Sequence, residues 1–174
     1  MSGQGWIKKW NLGAKLLRFG MNCWPPFVGA GIHVMHWTDD FRNVRVRMKM
    51  YWYNKNYMGT HFGGTLFSMT DPFFMIMTAE NLGKGYVVWD KSATIHFRKP
   101  GRGTVYAEFQ LKQNFLDEVL AQTANGDKFE PVLSVDVTDE SGEVVATIEK
   151  QLYIRKVRSK SERAAAKDEL KQAA

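Results

Sequence analysis

Polar and apolar residues alternate almost without a slip through VRVRMKMYWY, residues 44–53. The period of two puts Val44, Val46, Met48, Met50 and Trp52 on one face and predicts a long strand with one wet side. Asn54, Asn56 and Gly59 break it. From Gly63 to Leu82 the chain is apolar nearly all round, which predicts a buried helix, closed by Gly83 as its C-terminal glycine. Four further strands are expected. Residues 86–98 alternate Trp89, Ala93, Ile95 and Phe97 against Asp90, Ser92, Thr94 and His96, and after the turn RKPGRG the inner face of the next strand is Val105, Ala107, Phe109 and Leu111. DESG, 139–142, reads as a hairpin turn between a strand carrying Leu133, Val135 and Val137 and one from Val144 to about Ile154. Strand, long helix, then four strands with hairpin-like links imply an α+β chain, its antiparallel sheet wrapped around one helix.

The ends of the chain are patterned differently. Residues 6–19 place Trp6, Trp10, Ala14 and Leu17, with Ile7 and Leu16, at helical spacing with lysines between them. This predicts a short amphipathic helix, which either docks on the body or touches a membrane surface. Pro25 and Pro26 then end regular structure, so PPFVGAGIHVMHW is expected to be a loop or short turn. The tail KVRSKSERAAAKDELKQAA has helix propensity but few apolar residues. The chain divides into an N-terminal helix (1–24), a body (25–156) and a charged Ala-rich tail (157–174).

Composition narrows the classes. With 174 residues, 44% of them hydrophobic, the chain can bury one core without disulfides or metal. Its single cysteine, Cys23, has no partner for an internal disulfide, and no Cys/His cluster suits zinc. The first residues lack the apolar core of a signal peptide, and no run is long enough to span a bilayer, so a cytoplasmic location is expected. The net charge of +6 is concentrated at the ends: residues 1–20 hold four bases and no acids, residues 155–174 seven bases and three acids, and the rest 13 bases against 15 acids. A duplex-binding protein spreads its basic footprint over the folded body, so nucleic acid is not the expected partner.

Candidate chemistry gathers around the predicted helix. Gly63 and Gly64 stand at its start, where amide hydrogens lack intrahelical partners and a ligand can approach a backbone without side chains. The plain alternative is that paired glycines let helix and strand pack. Asp71 and Pro72 interrupt the apolar run. A carboxylate there is costly unless it serves a purpose such as general-base catalysis, and the proline implies a kink or a helix restart. Alternatively, Asp71 caps a second helix. Asp90 is either a second acid of the same site or half of a surface pair with Lys91 or Arg98. Asn56 is a water-holding group or a turn residue, and His61 a general acid or a structural loop histidine. Arg98, Lys99 and Arg102 around Pro100 form a basic turn suited to phosphates, or merely a solvated one. Phe67, Phe73, Phe74, Met75, Met77 and the PPF segment can line an acyl tunnel or fill a core.

These blocks resemble a known superfamily. The spacing of Asn56, Gly59, Gly63, Gly64 and Asp71 is similar to that in thioesterases of the phenylacetate-pathway branch of the hotdog fold. NYMGTHFGG, TDPF, VVWDK and RKPGRGTVYAEF together look like the bacterial family labelled tetrameric acyl-CoA thioesterase, with the likeness running from about Pro25 to Arg155. One position departs: Phe62 occupies the family's histidine position, and His61 stands one residue earlier. The resemblance implies a curved antiparallel sheet around a long central helix and sites shared across a dimer interface. It also implies an acyl-CoA thioesterase needing no cofactor beyond the coenzyme A of its substrate, with Asp71, Gly63, Gly64, Asn56, Asp90 and His61 at the site. Arg98, Lys99 and Arg102 would hold the coenzyme.

Gly63 and Asp71 would be about 12 Å apart along an unbroken helix. For both to meet one thioester, Asp71 must come from a second subunit or the helix must bend sharply, so a homodimer or dimer of dimers is expected. The rival readings are a non-catalytic acyl-CoA or lipid carrier and a hydroxyacyl dehydratase with His61 as base.

Overall fold

A computed structural model of the protein describes the backbone of residues 4–157 and side chains from Gly13 onward. The tail expected at 157–174 lies, but for Val157, outside the described residues, as do the side chains of Trp6, Ile7 and Trp10.

Seven strands form one antiparallel sheet: β1 (Ile32–Trp37), β2 (Asn43–Lys49), β3 (Tyr86–Phe97), β4 (Thr104–Gln110), β5 (Lys128–Phe129), β6 (Val132–Asp139) and β7 (Val144–Lys156). The spatial order is β1-β2-β4-β6-β7-β3, with short β5 also pairing β7. Only β6 and β7 are joined by the predicted hairpin, where Gly142 adopts φ 85° and donates to the Asp139 carbonyl. The expected hairpin-like link from β3 to β4 is instead a crossover, because β3 lies at the edge beside β7 while β4 sits between β2 and β6.

The predicted helix 63–82 is present as two pieces, α3 (Gly63–Ser68) and α4 (Phe73–Leu82). Pro72 cannot donate an amide hydrogen, so the ladder lapses into tighter bonds from Thr70 to Phe67 and, at 3.4 Å, from Asp71 to Ser68. Gly83 ends α4 with φ 76° as expected. Phe73 and Phe74 pack on Phe109 of β4 with ring centroids 4.9 and 5.1 Å apart, and Phe73 also meets Trp37 and Phe27. Val44, Val46, Met48, Val105, Val137, Ile148, Leu152 and Ile154 line the sheet side of the same core.

Other segments differ from the pattern reading. PPFVGAGIHVMHW is not a loop: Pro25–Ala30 forms α2, with prolines at its first positions and Gly31 at φ 72° closing it, and β1 follows. Ile32 and Val34 alternate inward, and a bulge before His36 returns Trp37 to the core. Strand β2 stops at Lys49 rather than running to Trp52. Asn54 accounts for this, its buried amide donating to the carbonyls of Lys49 and Ala30 and its oxygen accepting from the Tyr51 N–H. Trp52 is consequently exposed. Between β4 and β5 in the chain lies a further helix, α5 (Gln113–Gln122), which contacts α4 and β5 and buries Leu116 and Val119.

The N-terminal helix, α1 (Gln4–Cys23), is longer than the 6–19 span expected and docks on β1. Asn22 bonds both the N–H and the carbonyl of Val34, Arg18 reaches the Met35 carbonyl, and Ala14 and Met21 are buried. Among the described residues no helix is long and apolar enough to cross a membrane.

The segment between β2 and α3 is fixed against the β3–β4 turn by His61, which is buried and pairs its Nε2 with the Gly103 carbonyl at 3.0 Å while its N–H donates to Gly101. Because a carbonyl only accepts, Nε2 carries the hydrogen. Burial lowers the His61 pKa, an effect the Gly103 bond partly opposes. A histidine whose folded pKa lies below its unfolded value favours the fold above that value and weakens it as pH falls. Stability measured by urea unfolding should therefore drop between pH 7 and pH 5, and His61→Gln should flatten that slope, leaving the contribution of His33, whose pKa is lowered too. Asn22→Ala should cost about 1–3 kcal/mol in the same assay, since it strands the Val34 N–H.

Candidate active site

A lysine occupies an inward position of β7, between Ile148 and Leu152, where the alternation calls for an apolar residue. Lys150 is 2% exposed, and its Nζ donates to the Asp71 carbonyl at 2.7 Å and to Asp71 Oδ1 at 2.7 Å. It also lies 3.2 Å from Asp90 Oδ2. Three contacts match the three hydrogens of an ammonium, and the Phe67 ring flanks it at 5.9 Å. The two acids differ in access, Asp71 being 51% and Asp90 31% exposed.

Two local irregularities bring these groups together. The break at Pro72 leaves the Asp71 carbonyl turned out of the helical ladder, where Lys150 takes it. In β3 a bulge at Lys91 puts one extra residue between the pairs Asp90↔Leu152 and Ser92↔Gln151. That bulge corrects the expected face of Asp90: it shares the inner face with Val88, while Trp89, expected inside, is 64% exposed. Beyond the bulge, Ala93, Ile95 and Phe97 align with Lys150, Ile148 and Ala146. Neither surface partner suggested for Asp90 takes it: Lys91 pairs with Glu130, and among the described residues Arg98 is bonded through its backbone N–H, to the Val145 carbonyl. Burial raises the Asp90 pKa; the Lys150 charge and bond oppose this, and the Asp71 charge adds to it. Asp71 does not cap α4 either, whose first turn has no side-chain cap.

The glycines begin α3 as predicted. The first helical donors, Thr65 and Leu66, both go to the Phe62 carbonyl, which leaves the Gly63 and Gly64 amides as the foremost turn. Both positions are also closely packed: a Cβ on Gly63 would stand 2.9 Å from the Phe97 ring, and one on Gly64 2.5 Å from the Phe62 ring. A side chain at either position would displace an exposed aromatic ring, so the glycines also let these rings pack on α3, whatever else the amides do.

Asn56 spends both amide hydrogens inside its own turn, on Thr60 Oγ1 and the His61 carbonyl, and its oxygen accepts from Thr60 N–H. It shapes the loop and has no hydrogen left for a water or a carbonyl. His61 is 3% exposed, and its Nδ1 is buried without a partner among the described residues, while Nε2 is held by the Gly103 carbonyl. In the basic turn, Lys99 is bound to Asp139 at 2.6 Å and to Glu143, and Arg102 donates to the Gly59 carbonyl. The aromatic residues offered as a tunnel are mostly core, with Phe73, Phe74 and Met77 buried. Open space lies elsewhere: a cavity of about 290 Å³ at the start of α3 is lined by Pro26, Ala30, Tyr53, Asn54, Phe62 and Thr65.

Residue pattern points to Asp71 and Asp90 but not to the residue that joins them. The signal was present in IEKQLYI, where Ile148, Leu152 and Ile154 alternate inward and Lys150 falls in step with them.

Comparison with known proteins places the chain and its fold. Residues 13–154 match the family model described as a domain of unknown function, DUF4442. A protein of unknown function from Pseudomonas aeruginosa, described as a probable thioesterase, superposes with a TM-score of 0.73 at 23% identity, over 82% of this chain and 95% of that one. A thioesterase from Haemophilus influenzae gives 0.60 at 13% identity, over 84% and 93%. The PaaI protein of the E. coli phenylacetic acid degradation operon gives 0.59 at 16%, over 88% and 97%. No curated protein matches the sequence. The overall fold shared with these structures, an antiparallel sheet with a central helix, and the family match over most of the chain make this protein a hotdog-fold member of the DUF4442 family.

Proposed function

We propose that the protein hydrolyses an acyl-CoA thioester to the free acid and coenzyme A. The observation carrying this reading is the half-exposed Asp71 carboxylate, held at the break of the central helix of a hotdog fold. Several of the superposed structures are described as thioesterases. Asp71 accepts a proton from water as that water adds to the thioester carbon, and the tetrahedral intermediate then expels the coenzyme A thiolate. Asp90, 3.2 Å from the same Lys150 nitrogen, helps to position that water, and the proton taken up by Asp71 passes to the departing sulfur. Direct attack by Asp71 through an anhydride is the variant of the same chemistry.

The developing oxyanion calls for donors, and the Gly63 and Gly64 amides at the start of α3 are the groups of the right kind. A homodimer, as the resemblance implies, would bring Asp71 of one chain to the glycines of its mate. The free edge of β3 supports this, being 12 residues long and carrying exposed Trp89 and Phe97, whereas α1 packs on the opposite outer strand, β1. Arg98 and Arg102 suit the phosphates of coenzyme A, with Lys99 holding the turn through Asp139 and Glu143. The acyl group would enter the cavity beside Phe62.

A second reading has one observation in its favour. The Phe62 ring rests on Gly64 in the position where the resembled thioesterases carry histidine, and this suits a carrier that binds acyl-CoA without cleaving it. Thiol release from a panel of acyl-CoAs decides between them. The enzyme should turn over at least one member, and Asp71→Asn should reduce kcat about 100-fold or more with the protein still folded. Tight binding with no release in the wild type would establish the carrier, and equal rates in both proteins would remove Asp71 from the chemistry.

A further inference from the structure

We propose that Lys150 is the positioning residue of this site, an inference that rests on the hydrolase reading above. Its ammonium grips Asp71 twice, at the backbone carbonyl and at Oδ1, so main chain and carboxylate of the same residue are fixed to one point. Asp71 Oδ2 accepts no hydrogen bond from the described residues, and the side chain is 51% exposed. The clamp thus selects one oxygen to face water and leaves the other neutralised.

The same nitrogen holds Asp90, and two carboxylates within reach of one atom repel each other unless a cation stands between them. Other charges are directed elsewhere. Lys91 is paired with Glu130, Glu149 lies on the opposite face of β7, and Ser68 donates to the Gly64 carbonyl. From β6, the residue opposite Lys150 is Leu133. Lys150 therefore carries two separable duties: it orients Asp71, and it keeps the acid pair from sharing a proton.

Lys150→Met keeps the stem and removes the charge. It should lower kcat about 100-fold while KM changes less than about threefold, as expected for a misplaced reacting group. The acid limb of the thiol-release profile should move up by about one pH unit, because the acids must then lose their protons against each other. Removing the second acid as well, in Lys150→Met/Asp90→Asn, should return the limb toward its wild-type position while kcat stays low. Lys150→Gln serves as the second variant if the methionine protein does not fold, with thermal melts recorded for each.

A carboxyl-carbon NMR titration of residues 71 and 90 follows the charge duty without any turnover. If the wild type releases no thiol from any acyl-CoA, the hydrolase reading fails, and this titration still decides whether Lys150 governs the acid pair. An unmoved limb and an unmoved carboxyl titration in Lys150→Met would overturn the proposal, even if kcat fell. So would a wild-type kcat in that variant.

Discussion

A lysine ammonium taken out of water must be neutralised and fully hydrogen-bonded, or the fold bears a penalty of several kcal/mol. In this protein that condition is met by Lys150, Asp71 and Asp90 acting as a unit. Each partner arrives from a different element: the break between α3 and α4, the bulge of β3 and the inner face of β7. The break and the bulge are local defects in regular structure. They persist because straightening either would withdraw an acceptor from a buried cation.

The apolar core holds those elements in place. Phe73 and Phe74 of α4 seat on Phe109, so the second half of the interrupted helix is anchored independently of the first. On the other side of the break, the Phe97 and Phe62 rings close over Gly63 and Gly64. The loop leading into α3 is immobilised by Asn54, Asn56 and His61 through bonds to backbone atoms. The polar residues of this loop are thus consumed in shaping it, whereas the acids after the break keep oxygens that reach solvent.

Much of the architecture was legible because it depends on short-range pattern. Alternation located β2, β4, β6 and β7, and Gly83 and Gly142 punctuated as expected. Where the reading failed, a tertiary bond had overridden the pattern. The alternation 44–53 continued past Lys49, but Asn54 captured the strand's last carbonyl and turned the chain. In β3 the expected parity of inward positions holds only beyond the bulge, so Trp89 and Asp90, which precede it, fall on the opposite faces from those the alternation predicts. Pro25 and Pro26, which by local pattern end regular structure, stand at a helix beginning.

The site divides in the same way. Spacing alone singled out Gly63, Gly64, Asp71 and Pro72, since an acid and a proline inside an apolar run contradict local preference wherever they occur. It also determined that the chain is α+β with a helix against an antiparallel sheet. Which groups face which was decided only by the folded chain: Lys150 stands 79 residues beyond Asp71 in sequence yet 2.7 Å from its carboxylate. No periodicity encodes that meeting, because it depends on sheet order, on one extra residue in β3 and on one missing amide hydrogen at Pro72, acting together on a single buried charge.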